Sequence, residues 1–385
     1  MRITPLKALL LVSFLLVFAA CNKDNNPAES SQSPLDTSLT FQKSFDFGSH
    51  ESGQDILELN NGDYILAANS TRESDEVRFV TVIKTDTYGN KIWSESYGED
   101  LRLACSNIVK ADDGYIFGGN IGGNIHDRSS LFLTKIDLEG NEVWHYTYCE
   151  DIAIKSKTVL LELSNGNFLI SGGGFSLSSS YTWMAKLVEV DTNGNIVNEI
   201  TVDIFDMYYF SVCESVDSGY ILGYNVVGSM TYIHKIDSQG NTVWQNDYTF
   251  NVGDISHTYG NCYVITGSSI NSDLYLQKFD DSGTTVWEHS YAFNTMGNDV
   301  KETSGFDIII TGKDIHSNTC LIKVNRFGEL LWRTQYNHEE NAAGKCIIEN
   351  NRGGFAVLGH VFSGTNGNLD KDILFTKTDL NGIVY

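Results

Sequence analysis

A short pattern, Lys-x-Asp-x-x-Gly-Asn-x-x-Trp, recurs along the chain and limits its fold more than any other feature of the sequence. The aspartate of this pattern stands at Asp86, Asp137, Asp191, Asp237, Asp280 and Asp379, and Asn325 takes the same place once. The seven copies are separated by 51, 54, 46, 43, 45 and 54 residues. Units that repeat at such intervals stack on one another, because no single unit buries its own apolar face. The sequence therefore predicts seven stacked units.

Each unit contains four short stretches that are typical of β-strands. A glycine turn precedes an aromatic and aliphatic run, as at Asn61-Gly62 before Tyr64, which indicates a hairpin because both turn residues need positive φ. An alternating strand follows, then the Asp-x-x-Gly turn, then the strand that carries the tryptophan. Four-stranded antiparallel sheets repeated radially form a β-propeller. The predicted fold of residues 39–385 is all-β, with seven four-stranded antiparallel blades.

The two ends of the repeat region complement each other. The seventh copy stops at Tyr385, within its fourth strand, whereas residues 39–47 match a fourth strand that has no repeat before it. We expect the N-terminal strand to complete the last blade, because closure of the ring removes exposed sheet edges.

Most tryptophans occupy one position of the repeat. They are Trp93, Trp144, Trp244, Trp287 and Trp332, with Asn198 and Tyr385 in that place in the third and seventh units. Strict repetition is what packing requires, so we expect these rings to wedge between adjacent blades. The motif aspartate is expected to cap its turn, and the motif lysine to be solvated on a strand flank. Trp183 lies outside the register, and for it burial and sugar stacking both remain open.

Residues 1–20 are typical of a processing signal. Arg2 and Lys7 precede an apolar stretch that is too short to span a bilayer stably. The residues Phe18-Ala19-Ala20-Cys21 resemble a bacterial lipobox, which implies that Cys21 becomes the lipidated N-terminus. An ordinary secretory signal is the alternative.

The segment that follows, residues 21–38, is polar and holds two of the three prolines, as expected of a flexible tether. Its start, Cys21-Asn22-Lys23-Asp24, resembles the short signal that sends some outer-membrane lipoproteins to the cell surface. The implied location is the outer membrane, with the protein anchored by lipid at the surface.

Charge excludes one class of partner. The chain has a formal net charge of −23, and loss of Arg2 and Lys7 with the signal leaves 24 basic and 49 acidic residues, a net charge of −25. Such a charge repels nucleic acid and favours cationic partners.

Six further cysteines show no metal-ligand spacing, and which of them form disulfides, if any, stays open: Cys105, Cys149, Cys213, Cys262, Cys320 and Cys346.

The motif Asp-x-x-Gly-x-x-x-Trp resembles the tryptophan-docking repeat of quinoprotein-dehydrogenase-like propellers. The whole repeat, residues 39–385, is similar to a group of secreted and lipoprotein propellers of Gram-negative bacteria. The quinoprotein enzymes carry an adjacent Cys-Cys pair that this chain lacks. The resemblance therefore implies the fold and the location, and it does not imply a quinone cofactor.

Candidate binding residues lie in the connections that vary between units. The tight glycine turns share one face of a propeller, so the fourth-to-first and second-to-third connections form the other face, which is rich in acidic and aromatic residues. From these connections we predict a ligand-binding set that includes Asp206, Tyr208, Tyr209, Glu339 and Glu340.

A second set comes from counting nine residues back from each second-strand aromatic position. The residues found are Asp55, Ser106, Val159, Ser211, Asp254, Asp299 and Cys346. Asp254, Asp299 and Asp55 belong to blades close to one another in a closed ring and are expected at equivalent heights near the channel mouth. Clustered carboxylates suit a calcium ion or a cationic ligand. The alternative is that each merely accepts hydrogen bonds from neighbouring backbone groups, since no contiguous calcium-loop motif is present.

Two functions follow from these observations. The first is a non-enzymatic surface lipoprotein whose acidic, loop-rich face binds a glycan or a protein partner within an outer-membrane complex. The second is a polysaccharide hydrolase or lyase that uses paired carboxylates at the channel mouth. The first is favoured because no nucleophile–base pair is visible in the sequence, and no catalytic residue or resident cofactor is predicted.

Overall fold

The computed structural model describes residues 39–122, 129–177, 182–204, 207–226, 230–336, 341–363 and 370–385. The regular elements in these ranges are β-strands, grouped in seven antiparallel sheets. In the same ranges, no helix has the length and apolar character needed to cross a membrane. The predicted seven-bladed propeller is confirmed.

The strands are numbered along the chain. Strand β1 is Phe41–Phe45; the first blade has β2 (His50–Glu58), β3 (Tyr64–Arg72), β4 (Val77–Thr85) and β5 (Lys91–Tyr97); the second has β6 (Leu103–Ala111), β7 (Gly114–Gly122), β8 (Ser129–Asp137) and β9 (Glu142–Tyr148). The third has β10 (Ile152–Ile154), β11 (Val159–Glu162), β12 (Phe168–Ser176), β13 (Trp183–Val190) and β14 (Ile196–Asp203); the fourth has β15 (Met207–Glu214), β16 (Tyr220–Val226), β17 (Met230–Ile236) and β18 (Thr242–Tyr248).

The remaining three blades follow the same order. The fifth has β19 (Asn251–Thr258), β20 (Cys262–Ser268), β21 (Leu274–Asp280) and β22 (Thr285–Tyr291); the sixth has β23 (Thr295–Glu302), β24 (Ile308–Asp314), β25 (Thr319–Val324) and β26 (Leu330–Tyr336); the seventh has β27 (Ala342–Glu349), β28 (Phe355–Ser363) and β29 (Asp370–Thr378). In the third blade the innermost strand is divided, because β10 and β11 both pair with β12.

The seventh blade is completed by the N-terminal strand. Its sheet order is β1-β29-β28-β27, and β1 pairs antiparallel with β29 from Phe41 opposite Lys377 to Phe45 opposite Ile373. Closure by the N-terminal strand, as predicted, is confirmed. The expectation that Tyr385 fills the tryptophan position of this blade is wrong. In the seventh blade Phe41 lies opposite the motif lysine, Lys377, just as Trp93 lies opposite Lys84 in the first blade. Phe41 also packs on Gly89 of the first blade.

The hydrophobic core lies between blades. One buried cluster occupies each junction; at the junction of the fourth and fifth blades, Ile221 and Ile233 pack with Val252 and Tyr263. Each such side chain stabilises the fold by roughly 1.5–3 kcal/mol when it is fully buried. A blade therefore gains most of its stability from its two neighbours.

The motif tryptophans dock on the turn of the next blade. Trp244 Nε1 donates to the carbonyl of Asp281 at 3.0 Å, and Trp287 Nε1 donates to the carbonyl of Arg326 at 2.9 Å. An added Cβ on Gly283 would lie 3.0 Å from the Trp244 ring, and the φ of this glycine is +81°. The motif glycine is thus needed both for the turn conformation and for the close approach of the ring.

A tyrosine four residues after the tryptophan adds a second connection between blades. Tyr148 Oη donates to the carbonyl of Gly194 at 2.9 Å, and Tyr336 Oη donates to the carbonyl of Gly382 at 2.7 Å. Tyr291 makes the same bond to Gly328. The turn carbonyls are satisfied in this way across the junctions.

The motif lysines are mostly buried, so the expectation that they are solvated is wrong. Lys235 is 2% exposed and its Nζ lies 2.9 Å from Asp217 and 2.6 Å from Asp281 of the next blade. The neighbouring blade covers the alkyl stem, while the ammonium group reaches carboxylates at the junction.

Glutamates at the ends of innermost strands form a third connection, which the sequence analysis missed. Each accepts an N–H from a turn of the preceding blade: Ser164 to Glu214 at 2.7 Å, Tyr259 to Glu302 at 2.6 Å, Ser304 to Glu349 at 2.6 Å and Asn351 to Glu58 at 2.6 Å. The last of these bonds joins the seventh blade to the first, across the closure.

Candidate functional site

A cavity of about 1010 Å³ lies among the innermost strands. Its lining includes the predicted residues Asp55, Asp254 and Asp299, together with Lys301 and Lys345. These three aspartates therefore stand in strands that face the channel rather than in loops. A cavity of this size, with charged groups on its wall, is large enough to hold a small ligand or a short peptide segment of a partner protein.

A backbone bulge precedes each of the three aspartates in its strand. The register shifts between Gly53 and Asp55, between Val252 and Asp254, and between Gly297 and Asp299, so that each aspartate follows an extra residue in its strand. In the second blade the equivalent position is Asn107, opposite Gly118, and the assignment of Ser106 is wrong. The hairpin of that blade is one residue shorter, which shifts the count from the aromatic position.

Asp254 and Asp299 share one lysine. Lys301 Nζ lies 2.6 Å from Asp299 Oδ1 and 3.3 Å from Asp254 Oδ2. Burial raises the pKa of Asp254. Burial also acts to raise the pKa of Asp299, but the Lys301 ammonium and a hydrogen bond from Asp254 outweigh it, so this pKa lies below the ordinary value. The two carboxylates therefore share a proton or the lysine charge.

Asp55 has different partners. Its Oδ1 accepts from Cys346 Sγ at 2.8 Å, and its Oδ2 accepts from the Ile108 N–H at 3.0 Å. Asp299 Oδ2 likewise accepts the Ile347 N–H of the next blade at 2.8 Å. These bonds match the hydrogen-bonding alternative for the aspartates. Among the described residues, groups of three metal-ligating atoms within 4.8 Å of one another occur elsewhere in the ring.

The other predicted site residues divide into two groups. Tyr208 is exposed on the loop face, and its Oη donates to Asn251 Oδ1 at 3.0 Å. Tyr209 belongs to β15, where its backbone pairs with Asn225. Asp206, Glu339, Glu340 and Cys21 lie outside the described residues. None of the six cysteines from Cys105 to Cys346, all of them among the described residues, forms a disulfide.

Exposed apolar side chains on the loop face form a set of which the sequence analysis predicted only Tyr208. They are Tyr208, Ile270, Met296 and Ile315, of the fourth to sixth blades, and we call them the apolar arc. Ile270 is 74% exposed and Ile315 62% exposed. The Ile315 N–H donates to the carbonyl of Asn294 at 3.0 Å, and the Asn294 N–H donates to Asp273 at 3.4 Å, which joins the loops of the two isoleucines. The available signal was an isoleucine inside each of two polar turns.

Three lysines, Lys313, Lys345 and Lys371, lie near His360 in the sixth and seventh blades, a feature that the sequence analysis did not anticipate. His360 is buried, and its Nδ1 lies 3.3 Å from Ser52 Oγ. Burial, together with the charges of Lys371, Lys345 and Lys313, lowers its pKa to about 3. The three lysines thus lie close enough to His360, and to one another, to repel a proton.

The low pKa of His360 predicts a stability that depends on pH. Because the native pKa of about 3 lies below the value of 6.5 expected in the unfolded chain, the neutral ring stabilises the fold above pH 6.5. This stability is lost as the pH falls from 6.5 towards 3. Between pH 7 and pH 5 the loss is about 2 kcal/mol. Urea unfolding at both pH values should show a smaller change for His360→Gln than for the unaltered protein; equal changes would contradict the prediction.

Comparison with known proteins identifies the fold and no family. No family model and no curated protein matches the chain. A protein of unknown function from Bacteroides caccae is 10% identical, with a TM-score of 0.47, and the match covers 75% of this chain and 94% of that one.

Two further solved structures have higher TM-scores. Chaetomium thermophilum Raptor is 10% identical with a TM-score of 0.55, and the match covers 86% of this chain and 28% of Raptor. YCF48, solved bound to a D1 peptide, is 11% identical with a TM-score of 0.52, and the match covers 88% of this chain and 97% of YCF48. At such identities the likeness establishes the propeller fold alone.

Proposed function

We propose that the protein is a non-enzymatic propeller scaffold, anchored in the outer membrane by lipid on Cys21, that binds a protein partner through its loop face. The apolar arc is the observation that carries this proposal. A contiguous exposed apolar patch is typical of an interaction surface, and hydrogen bonds place the loops that carry Ile270 and Ile315 beside each other. The solved complex of YCF48 with a peptide supports the proposal by analogy only.

The scaffold suits this role because its binding face is preorganised. Hydrogen bonds join the loops of the arc, and the three kinds of connection between blades hold the strands beneath them. A partner that docks on such a face orders few protein groups, which lowers the entropic cost of association. The net negative charge favours a partner with basic residues around its apolar contact. A glycan is the less favoured ligand, because Tyr208 is the one aromatic ring of the arc.

The alternative, a polysaccharide hydrolase or lyase, fits the channel carboxylates less well. Glycoside hydrolysis uses two carboxyl groups about 5–10 Å apart, with room for the glycosidic bond between them. Asp254 and Asp299 are both ion-paired with Lys301, whose Nζ lies 3.3 Å from Asp254 Oδ2 and 2.6 Å from Asp299 Oδ1. The ammonium group therefore occupies the position between them that a glycosidic bond would need.

The test is affinity purification of the lipidated protein from its native membrane. We expect a partner to copurify with the unaltered protein. The amount of partner recovered should fall at least about tenfold with the double variant Ile270→Ser/Ile315→Ser, because each exposed isoleucine contributes roughly 1–2 kcal/mol to binding when a partner covers it. A Tyr259→Ser/Phe306→Ser variant, which alters exposed side chains on the opposite face, is the matched control and should keep the partner. Equal recovery with both variants would contradict the proposal. Cys21→Ser should move the protein to the soluble fraction, and its retention in the membrane would exclude the lipid anchor.

A further inference from the structure

Three carboxylates meet where the ring closes. Asp46 follows β1, Glu51 lies in β2 and Asp372 lies in β29, and one oxygen of each lies within 4.8 Å of the other two. Phe45 pairs with Ile373, so Asp46 comes next to Asp372 across the sheet. We call these three side chains the closure cluster. They belong to the two ends of the propeller, and only closure brings them together.

Two members of the closure cluster are buried, and each has one carboxylate oxygen without a hydrogen-bond partner. Glu51 is 0% exposed and Asp372 is 7% exposed. Glu51 Oε1 accepts the Ser49 N–H at 3.1 Å, whereas Glu51 Oε2 and Asp372 Oδ1 are buried without a hydrogen-bond partner. Buried carboxylate oxygens are normally hydrogen-bonded or bound to metal, because an unpartnered one loses its hydration without compensation. These two oxygens point to a missing ligand.

The surroundings of the cluster are acidic. Burial, together with the charges of Asp370 and Asp46, raises the pKa of Glu51 to about 8. Burial also raises the pKa of Asp372. His50 is the nearby basic group, and it is held between Glu73 at 3.3 Å and Asp370 at 3.0 Å. Among the described residues no lysine or arginine forms an ion pair with the closure cluster.

We propose that Asp46, Glu51 and Asp372 bind a divalent, oxygen-preferring cation, with Ca²⁺ favoured, that fastens the N-terminal strand to the rest of the ring. Three carboxylates offer up to six oxygens, and Ca²⁺ takes about 6–8 oxygen ligands in flexible geometry. Asp46 is exposed, which leaves a route from solvent and positions for water. This site is distinct from the channel, where Asp55, Asp254 and Asp299 already have N–H, S–H and ammonium partners.

Calorimetry and thermal unfolding with CaCl₂ test the proposal. After treatment with EDTA, the protein should bind about one equivalent of Ca²⁺, and millimolar CaCl₂ should raise its melting temperature by several degrees, because a ligand of the native state stabilises it. MgCl₂ should bind more weakly, since Mg²⁺ demands octahedral geometry and loses water reluctantly.

Variants separate cation binding from a purely structural role. Glu51→Gln and Asp372→Asn should weaken Ca²⁺ binding at least about tenfold. In EDTA they should be as stable as the unaltered protein or more so, because like charges are removed, whereas in CaCl₂ they should be less stable. Asp46→Asn provides the same test at an exposed position. Glu73→Gln, beside the cluster, should keep the binding. Absence of saturable heat and of any temperature shift would show that the carboxylates hold protons, and loss of binding in Glu73→Gln would place the cation at His50; either result overturns the proposal.

Discussion

Removal of residues 39–47 should lower the melting temperature by roughly 10 °C, or prevent folding altogether. The deletion takes away β1, and with it Phe41, Phe45 and Phe47 from the junction of the seventh and first blades, together with the buried Leu39. The Phe41 ring lies 4.9 Å from that of Phe375 in an edge-to-face contact. Loss of these side chains removes roughly 6–8 kcal/mol of apolar burial and leaves β29 as an open sheet edge.

A second deletion of similar kind tests whether the loss of stability is caused by the removal of β1. Removal of residues 22–36, part of the stretch predicted from sequence to be a tether, should leave the melting temperature unchanged. Thermal unfolding followed by circular dichroism gives both values. Equal effects of the two deletions, or no effect of removing residues 39–47, would contradict closure by the N-terminal strand.

Substitution of a docked tryptophan should have the second largest effect. Trp244→Ala removes a ring that packs on Gly283 and donates to Asp281, and we expect a loss of about 3 kcal/mol in the free energy of unfolding. Because each blade depends on its neighbours, the loss should appear as one cooperative transition at lower denaturant concentration. Chemical denaturation monitored by far-ultraviolet circular dichroism measures it.

Phenylalanine at two of these positions separates packing from hydrogen bonding. Trp244→Phe loses the bond to Asp281, whereas the Nε1 of Trp93 is buried without a partner. We expect Trp244→Phe to cost about 1 kcal/mol more than Trp93→Phe, because only the first leaves a carbonyl without its donor. Equal costs would mean that the docking of these rings is apolar contact alone.

The fold was predictable because its determinants are local and repeated. The Asp-x-x-Gly turn and the tryptophan after it gave the blade count, and the unmatched strand at residues 39–47 gave the closure. The Trp-x-x-x-Tyr spacing was also present in the sequence as a signal for the tyrosine connections. Burial of the motif lysines was not predictable from one blade, because the neighbouring blade contributes to it; for Lys235 that blade also supplies one of the two carboxylates, Asp281.

The candidate sites were less predictable because they depend on register and on distant segments. A hairpin shorter by one residue moved the channel position of the second blade from Ser106 to Asn107. The closure cluster joins Asp46 to Asp372, which lie at opposite ends of the propeller sequence and meet only after the ring closes. The sequence did predict that closure, but not that Glu51 would be buried beside it.

A crystal structure of the mature protein would test the central claim most directly. Our account predicts electron density for seven four-stranded sheets around one channel, with residues 41–45 paired to residues 373–377 as the outermost strand of the last sheet. Density for six or eight sheets, for an open array, or for residues 41–45 away from that edge would contradict it.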